Sequence, residues 1–158
     1  MHEFVFIALG SNLGFRYNNL CTARESFSSE VQIVNTSSIY ITTPWGFEGQ
    51  PDFLNQVLEI RTSLKPFDLL HLLKTIEMKM GRIESFRYGP RLIDLDILFY
   101  ANRVIDTKEL QIPHPHLGER AFVLVPLKEI AADFIHPVLH KSVADLLEEI
   151  DPRGVRLL

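Results

Sequence analysis

The sequence predicts an α+β fold in which an antiparallel sheet carries helices on one face. Two observations lead there. Segments with strand character lie at Phe4–Leu9, Val31–Thr42, Phe53–Thr62 and Ile93–Tyr100, and helical patterns follow the first and the third of them. No repeat, low-complexity tract or Gly/Ser linker interrupts the chain, so residues 1–158 are expected to form a single domain.

Each element has its own signal. Phe4-Val5-Phe6-Ile7-Ala8-Leu9 is a nearly continuous apolar run, the pattern of a strand buried on both faces, and Gly10-Ser11-Asn12 ends it as a turn. Asn18 or Asn19 supplies a cap for a helix running to about Ser29. Val31 to Thr42 is β-branched and rich in Ser and Thr, hence a second strand. Thr43 to Pro51 is a loop punctuated by Pro and Gly. Phe53 to Thr62 alternates and reads as a third strand. Ser63 caps the next helix, whose apolar face is Leu69, Leu70, Leu72, Leu73, Ile76 and Met80, and Gly81 stops it. Ile93 to Tyr100 is the fourth strand, and Asn102-Arg103 is a tight turn into Val104-Ile105. This is the ferredoxin-like βαββαβ order. His114 to Leu158 adds one or two C-terminal helices, with Ser142 and Asp145 marking a helix start.

Composition narrows the function classes. With 46% hydrophobic and 23% charged residues, the chain is neither disordered, nor collagenous, nor a disulfide-stapled mini-protein. The net charge of -4 argues against a protein that coats nucleic acid. The single cysteine, Cys21, excludes an intrachain disulfide and is expected as a small core residue in a reducing compartment. The apolar run near the start is too short to span a bilayer, and no basic region precedes it as in a signal peptide. A cytoplasmic protein with no membrane or nucleic-acid partner is expected.

The sharpest chemical signal is Asp94-Leu95-Asp96 within the fourth strand. Side chains alternate along a strand, so both carboxylates face one way, with Cα atoms roughly 6.6 Å apart. Ile93, Leu95, Ile97 and Phe99 then face the core. Paired carboxylates in an apolar strand call for a compensating cation. Magnesium, held by one or two carboxylates together with substrate phosphates, meets that need. Arg82, Arg87 and Arg91 precede the pair in a basic segment with little apolar periodicity, and arginine grips phosphate bidentately. Carboxylates for magnesium beside arginines for phosphate are the composition of a phosphoryl-transfer site. The competing reading is a wet strand face carrying ordinary surface acids, salt-bridged to the arginines.

Weaker clusters accompany it. In Gln50-Pro51-Asp52-Phe53-Leu54-Asn55, Asn55 has the amide to read a heterocycle edge and Phe53 the ring to stack on it. Taken alone, Asn55 reads first as a structural hydrogen-bonding residue at a strand entrance. Pro113-His114-Pro115-His116, followed by Arg120 and Phe122, lacks the ligand set of a zinc site but suits phosphate contacts at His114 and Arg120. No P-loop and no G-x-G-x-x-G is present.

The ordered set of motifs resembles the 6-hydroxymethyl-7,8-dihydropterin pyrophosphokinase family of folate biosynthesis. Arg87-Tyr88-Gly89-Pro90-Arg91-Leu92-Ile93-Asp94-Leu95-Asp96-Ile97-Leu98 carries the resemblance. Ala8-Leu9-Gly10-Ser11-Asn12-Leu13-Gly14, Thr42-Thr43-Pro44, the Gln50–Asn55 segment, Glu77, Gly81-Arg82, Pro113-His114, Arg120 and Phe122 extend it over nearly the whole chain. The resemblance implies transfer of the β,γ-pyrophosphoryl group of ATP to the pterin hydroxymethyl oxygen, with AMP as the other product. It implies Asp94 and Asp96 on two magnesium ions, and Arg82 and Arg91 compensating transition-state charge. It places Glu77, Arg82, Arg87, Arg91, Ile97, His114 and Arg120 along ATP. It places Thr42, Thr43, Pro44, Trp45, Phe53, Asn55, Asp94 and Phe122 around the pterin, the ring lying between Phe53 and Phe122. A monomer acting on these small molecules is expected. Glu84, Tyr88, Phe53, Trp45 and Pro115 depart from residues common in the family, and the Arg82–Arg91 loop is short.

Two other classes compete. A magnesium-dependent nucleotidyltransferase would pair Gly10-Ser11 with Asp94 and Asp96, but more than eighty residues separate them. A non-catalytic ferredoxin-like ligand-binding module has no use for paired acids opposite a basic loop.

Overall fold

The computed structural model describes residues 3–43, 49–81 and 91–158. Among these, the chain forms β1 (Glu3–Ser11), α1 (Arg16–Glu25), β2 (Val31–Thr36), β3 (Tyr40–Thr42), β4 (Phe53–Thr62), α2 (Pro66–Lys79) and β5 (Asp94–Tyr100). A small hairpin of β6 (Ile105–Asp106) and β7 (Gln111–Ile112) follows, then a 3-10 turn at Leu117–Glu119, α3 (Ala121–Ala131), α4 (Val143–Glu148) and β8 (Val155–Leu157). The main sheet runs β5-β1-β4-β3-β8, with β2 also against β4, and its pairings are antiparallel. The expected α+β class and its strand-helix order are observed.

Several boundaries differ, each for a local reason. β1 continues through Gly10 and Ser11, which remain paired with Asn55 and Leu54. α1 starts at Arg16, with Phe15 at the cap position and no side-chain cap. Asn19 lies inside the helix, and its amide donates to Leu13 O (2.8 Å), Ser11 Oγ (3.1 Å) and Leu92 O (3.3 Å). The helix stops at Glu25, where the Ser26 hydroxyl bonds the Thr22 carbonyl at 2.6 Å and competes with the helical ladder. Ser63 does not cap α2. Lys65 holds that position and Pro66 opens the helix, where its missing N–H costs nothing. Gly81, at φ +84°, follows the C-terminus as expected. Ser142 does cap α4, accepting from Asp145 N at 3.0 Å. Cys21 is half-buried on α1, its Sγ accepting from Arg24 Nη2 at 3.3 Å, rather than a core residue.

The expected strand Val31–Thr42 is broken between β2 and β3. Both pieces pair with β4, β2 along its Leu58–Thr62 half and β3 along Phe53–Asn55. At the break a side chain completes the ladder: Ser37 N donates to Val57 O, and Val57 N donates to Ser37 Oγ, both at 2.9 Å.

A bulge in β5 corrects a second expectation. Phe6 pairs with Phe99 but Ile7 pairs with Ile97, so Leu98 is the extra residue. Phe99 thereby packs with Leu98 on the face opposite Leu95 and Ile97.

The sheet is covered on both faces, not one. Val5, Ile7, Leu9, Leu58, Ile60, Leu95 and Ile97 pack against Leu20 and Ala23 of α1 and Leu69, Leu73 and Ile76 of α2. Phe6, Val57, Leu98 and Phe99 face the other way, where α3 and α4 bury them with Val123, Leu124, Leu127, Val143 and Leu146. That second apolar face is why the C-terminal helices return to the sheet. β8, too short for a periodic signal, adds an edge strand beside β3.

Candidate active site

The second face is apolar only at one end. Toward the C-terminal end of β1, its residues on that face shrink to Ala8 and Gly10, and the neighbouring strands carry polar groups. Gly10 pairs with Asn55 of β4 on one side and Asp94 of β5 on the other, and Ala8 pairs with Val57 and Asp96. A cavity of about 330 Å³ opens here, within the range of about 300–1,000 Å³ usual for ligand sites. It brings together Thr42, Thr43, Phe53, Asn55, Arg91, Asp94, Asp96, His114, Arg120 and Phe122.

One end of the cavity is charged. Asp94 and Asp96 are half-buried on the same face of β5, and Arg91 Nε lies 4.0 Å from Asp94 Oδ2. The backbone of Arg91 is held by Asn12, whose N donates to Arg91 O (2.9 Å) and whose Oδ1 accepts from Arg91 N (2.6 Å). Asn12 is fully buried, and its Nδ2 donates to Gln50 Oε1 (2.6 Å) and Pro51 O (3.1 Å). One buried amide thus ties the ends of two loops to the end of β1.

His114 is anchored by its N–H to Leu98 O at 3.0 Å. Burial, with Arg120 and His116 nearby, pushes its imidazole down to about 4. It is neutral near pH 7. Its Nδ1 accepts from His116 N at 3.1 Å, so the neutral ring carries its proton on Nε2. His114 therefore offers a hydrogen-bond donor and not a charge. The cation here is Arg120, whose guanidinium lies 5.6 Å from the centre of the Phe122 ring. His116 also lines the cavity, with Nδ1 3.2 Å from Glu119 Oε2.

The other end is aromatic and amide-lined. Asn55 is 6% exposed, and its Nδ2 donates to Thr42 Oγ1 at 2.6 Å. Its Oδ1 sits where Gly10 lacks a side chain: a Cβ on Gly10 would lie 3.0 Å from Asn55 Oδ1 and 3.5 Å from Phe53 Cδ1. Gly10→Ala is therefore expected to push the Asn55 amide aside, Phe53 lying at ordinary contact distance, at a cost of about 1–2 kcal/mol. The expected result is a rise of about tenfold in KM for the ligand at this end, with the other ligand's KM within twofold. Steady-state kinetics with each substrate varied in turn checks this.

Glu77 and Ile97 do not line the cavity. Ile97 packs in the opposite core layer with α2. Glu77 is 2% exposed, accepts from Leu95 N at 2.9 Å and lies 3.5 Å from Lys74 Nζ. Pro44, Trp45, Arg82 and Arg87 lie outside the described residues, as do Glu84 and Tyr88. Ala8, Gly10 and Asn12, which entered above only through the resemblance, also build the site. Two small residues alternating at the end of an otherwise bulky strand were the available signal for the first two.

The chain matches the family model "7,8-dihydro-6-hydroxymethylpterin-pyrophosphokinase (HPPK)" over residues 6–132. It is 47% identical over 159 residues to the 2-amino-4-hydroxy-6-hydroxymethyldihydropteridine pyrophosphokinase of Bacillus subtilis, covering 99% of this chain and 91% of the relative. It is 43% identical over 145 residues to the protein of that name from Aquifex aeolicus, covering 92% and 91%. It is 45% identical over 139 residues to the folic acid synthesis protein FOL1 of Dictyostelium discoideum, covering 88% of this chain but only 21% of that relative. Against such longer relatives the chain spans about a fifth of their length. A solved HPPK-DHPS in complex with substrates superposes with a TM-score of 0.79 over 99% of this chain and 46% of that one, at 15% identity, a likeness of fold. Match length, identity and coverage agree with the motifs in the cavity, and the chain belongs to the 7,8-dihydro-6-hydroxymethylpterin-pyrophosphokinase family.

Proposed function

We propose that this chain transfers the β,γ-pyrophosphoryl group of ATP to the hydroxymethyl oxygen of 6-hydroxymethyl-7,8-dihydropterin, giving AMP and the pterin diphosphate in folate biosynthesis. The observation that carries this reading is the register that sets Asp94 and Asn55 on either side of Gly10. A site for a flat heterocycle with a polar edge and a site for a metal-bound polyphosphate then share one cavity, and the acceptor oxygen meets the phosphate at their junction.

The donors at the charged end fit magnesium. They are the hard carboxylate oxygens of Asp94 and Asp96. That suits a cation that takes one or two carboxylates and completes its shell with substrate phosphates and water. Asp94 and Asp96 would hold two such ions. Held there, magnesium would supply polarisation of the phosphates and a lowered pKa of the attacking hydroxyl.

The remaining work falls to the chain's own side chains. Arg91, with Arg82, compensates the negative charge of the transferring group. His114 donates Nε2–H to a phosphate oxygen, and Arg120 adds a bidentate cation. Arg87 belongs to the nucleotide side, while Glu77 and Ile97 would serve it only from behind the cavity, Glu77 by holding Leu95 N at 2.9 Å. Phe53 and Phe122 hold the pterin ring, while Asn55 and the Thr42–Pro44 backbone, with Trp45, orient its polar edge. Asp94, next to Asn55 across Gly10, reaches both substrates. No side-chain base is needed, because in-line positioning supplies most of the acceleration. We take residues 1–158 to be one such domain, monomeric and cytoplasmic. No described helix is long and apolar enough to cross a membrane.

The test is separation of nucleotide products after incubation with ATP, magnesium and the pterin. AMP formed only when pterin and magnesium are both present is the expected result. ADP would mean ordinary kinase chemistry on this scaffold, inorganic pyrophosphate a nucleotidyltransferase, and no turnover by a folded sample a binding module.

A further inference from the structure

Away from the cavity, one carboxylate makes an unusual number of contacts. Glu129, on the outer part of α3, accepts three hydrogen bonds from the β3 region. Oε1 takes both Ser38 N and Ser38 Oγ at 2.8 Å, and Oε2 takes the Tyr40 hydroxyl at 2.6 Å. Burial and the bond to Glu129 push the Tyr40 hydroxyl up to about 12, so it stays a donor through the working pH range. Burial alone would raise the Glu129 carboxyl; the bonds from Tyr40 and Ser38 outweigh it and hold it below its ordinary value, ionised near neutral pH.

The two elements joined differ in how firmly they are held. α3 is seated by Leu124 and Leu127, both fully buried. β3 is three residues long, lies between β4 and the short edge strand β8, and begins just after the break, where Ser37 still bonds Val57 but Ser38 and Ile39 are out of register with β4. Ser38 N is a backbone donor at that break, and the Glu129 carboxylate is its acceptor. Two residues beyond Tyr40, β3 presents Thr42, whose hydroxyl accepts from Asn55 Nδ2. The path from Glu129 to the Asn55 amide is thus a rigid helix, a short strand and one side-chain bond.

We propose that Glu129 is a positioning residue for the pterin, fixing β3 so that Thr42 holds the Asn55 amide in its reading orientation. The inference rests on the pterin reading of that end of the cavity. It makes an asymmetric claim. Asp94, Asp96 and Arg91 stand on or beside β5, with β1 and β4 between them and β3. Loss of the brace should therefore loosen the pterin end and spare the ATP end. A merely structural glutamate would not separate the two substrates.

Steady-state kinetics of Glu129→Ala, Glu129→Gln and Tyr40→Phe test this. Glu129→Ala is expected to raise the pterin KM about fivefold with the ATP KM within twofold, the loss of about 1 kcal/mol of net charge-assisted hydrogen bonding. Glu129→Gln is expected to recover most of the difference, since its carbonyl accepts from Ser38 and its amide donates to the Tyr40 oxygen. Tyr40→Phe, which leaves the Ser38 bonds intact, is expected to show a smaller rise of the same kind. Should Glu129→Ala fail to fold, the other variants carry the comparison. Equal rises in both KM values, or none in either, would overturn the proposal.

Amide exchange provides a readout that needs no turnover. In Glu129→Ala, or in Tyr40→Phe, the Tyr40–Thr42 amides are expected to exchange faster than in the wild type while those of Asp94–Tyr100 keep their protection. Unchanged exchange in β3 refutes the brace. If the wild-type protein turns over no ATP with the pterin, the functional reading fails, and exchange alone decides the role of Glu129.

Discussion

Asp96→Ala is expected to reduce turnover by about 10³-fold or more while leaving the fold intact. The size follows from the role proposed for the carboxylate. A metal ligand whose cation neutralises a transferring phosphate supports several kcal/mol of transition-state stabilisation, and about 4 kcal/mol is 10³-fold in rate. The intact fold follows from position. Asp96 is half-buried and lines the cavity, beside the paired Ala8, while the core contacts of β5 are made by Leu95, Ile97, Leu98 and Phe99. Removing its side chain enlarges an existing cavity and leaves apolar packing untouched. Product formation measured alongside thermal unfolding checks both parts. Wild-type AMP formation by the variant, with the pterin present, would remove the metal assignment.

Phe122→Ala is the second large expected effect, and it is selective. The ring lines the cavity from the start of α3, while Phe53 lines it from β4. Losing one of the aromatic surfaces that hold a flat heterocycle costs about 2–3 kcal/mol of buried contact, so pterin binding is expected to weaken roughly 30- to 100-fold. The ATP KM is expected to change by less than about threefold, because the main chain of Arg120 is held independently of Phe122, its backbone N–H donating to Leu117 O at 3.5 Å. KM values for each substrate, with the other saturating, separate the effects. Equal losses for both would contradict the stacking role.

The Asp96 expectation starts from a spacing, whereas the role of Phe122 comes from the family resemblance alone. Asp94 and Asp96 share a face because strand alternation is a local property of the backbone, and the described strand obeys it at that end. It fails four residues further on, where the Leu98 bulge turns Phe99 to the other face. A bulge depends on how β5 lies against β1, which the β5 sequence does not contain. The C-terminal helices illustrate the same limit. Ser142 announced α4 from its own capping chemistry, but nothing local said that α3 would cover the second face of the sheet. Glu77 and Ile97 carry family motif positions and yet sit in the core layer behind the cavity, on the α2 side.

The sequence by itself determined the α+β class, the strand-helix order, the facing carboxylates and membership of the family, because each rests on short-range periodicity or an ordered set of motifs. Only the tertiary structure decided that Gly10 separates Asn55 from Asp94, that Asn12 clamps Arg91, and that Glu129 reaches β3 from α3. These are contacts between residues distant in the chain. Their register is set by which side chains the two faces of the sheet must bury, and that balance is struck by the whole fold at once.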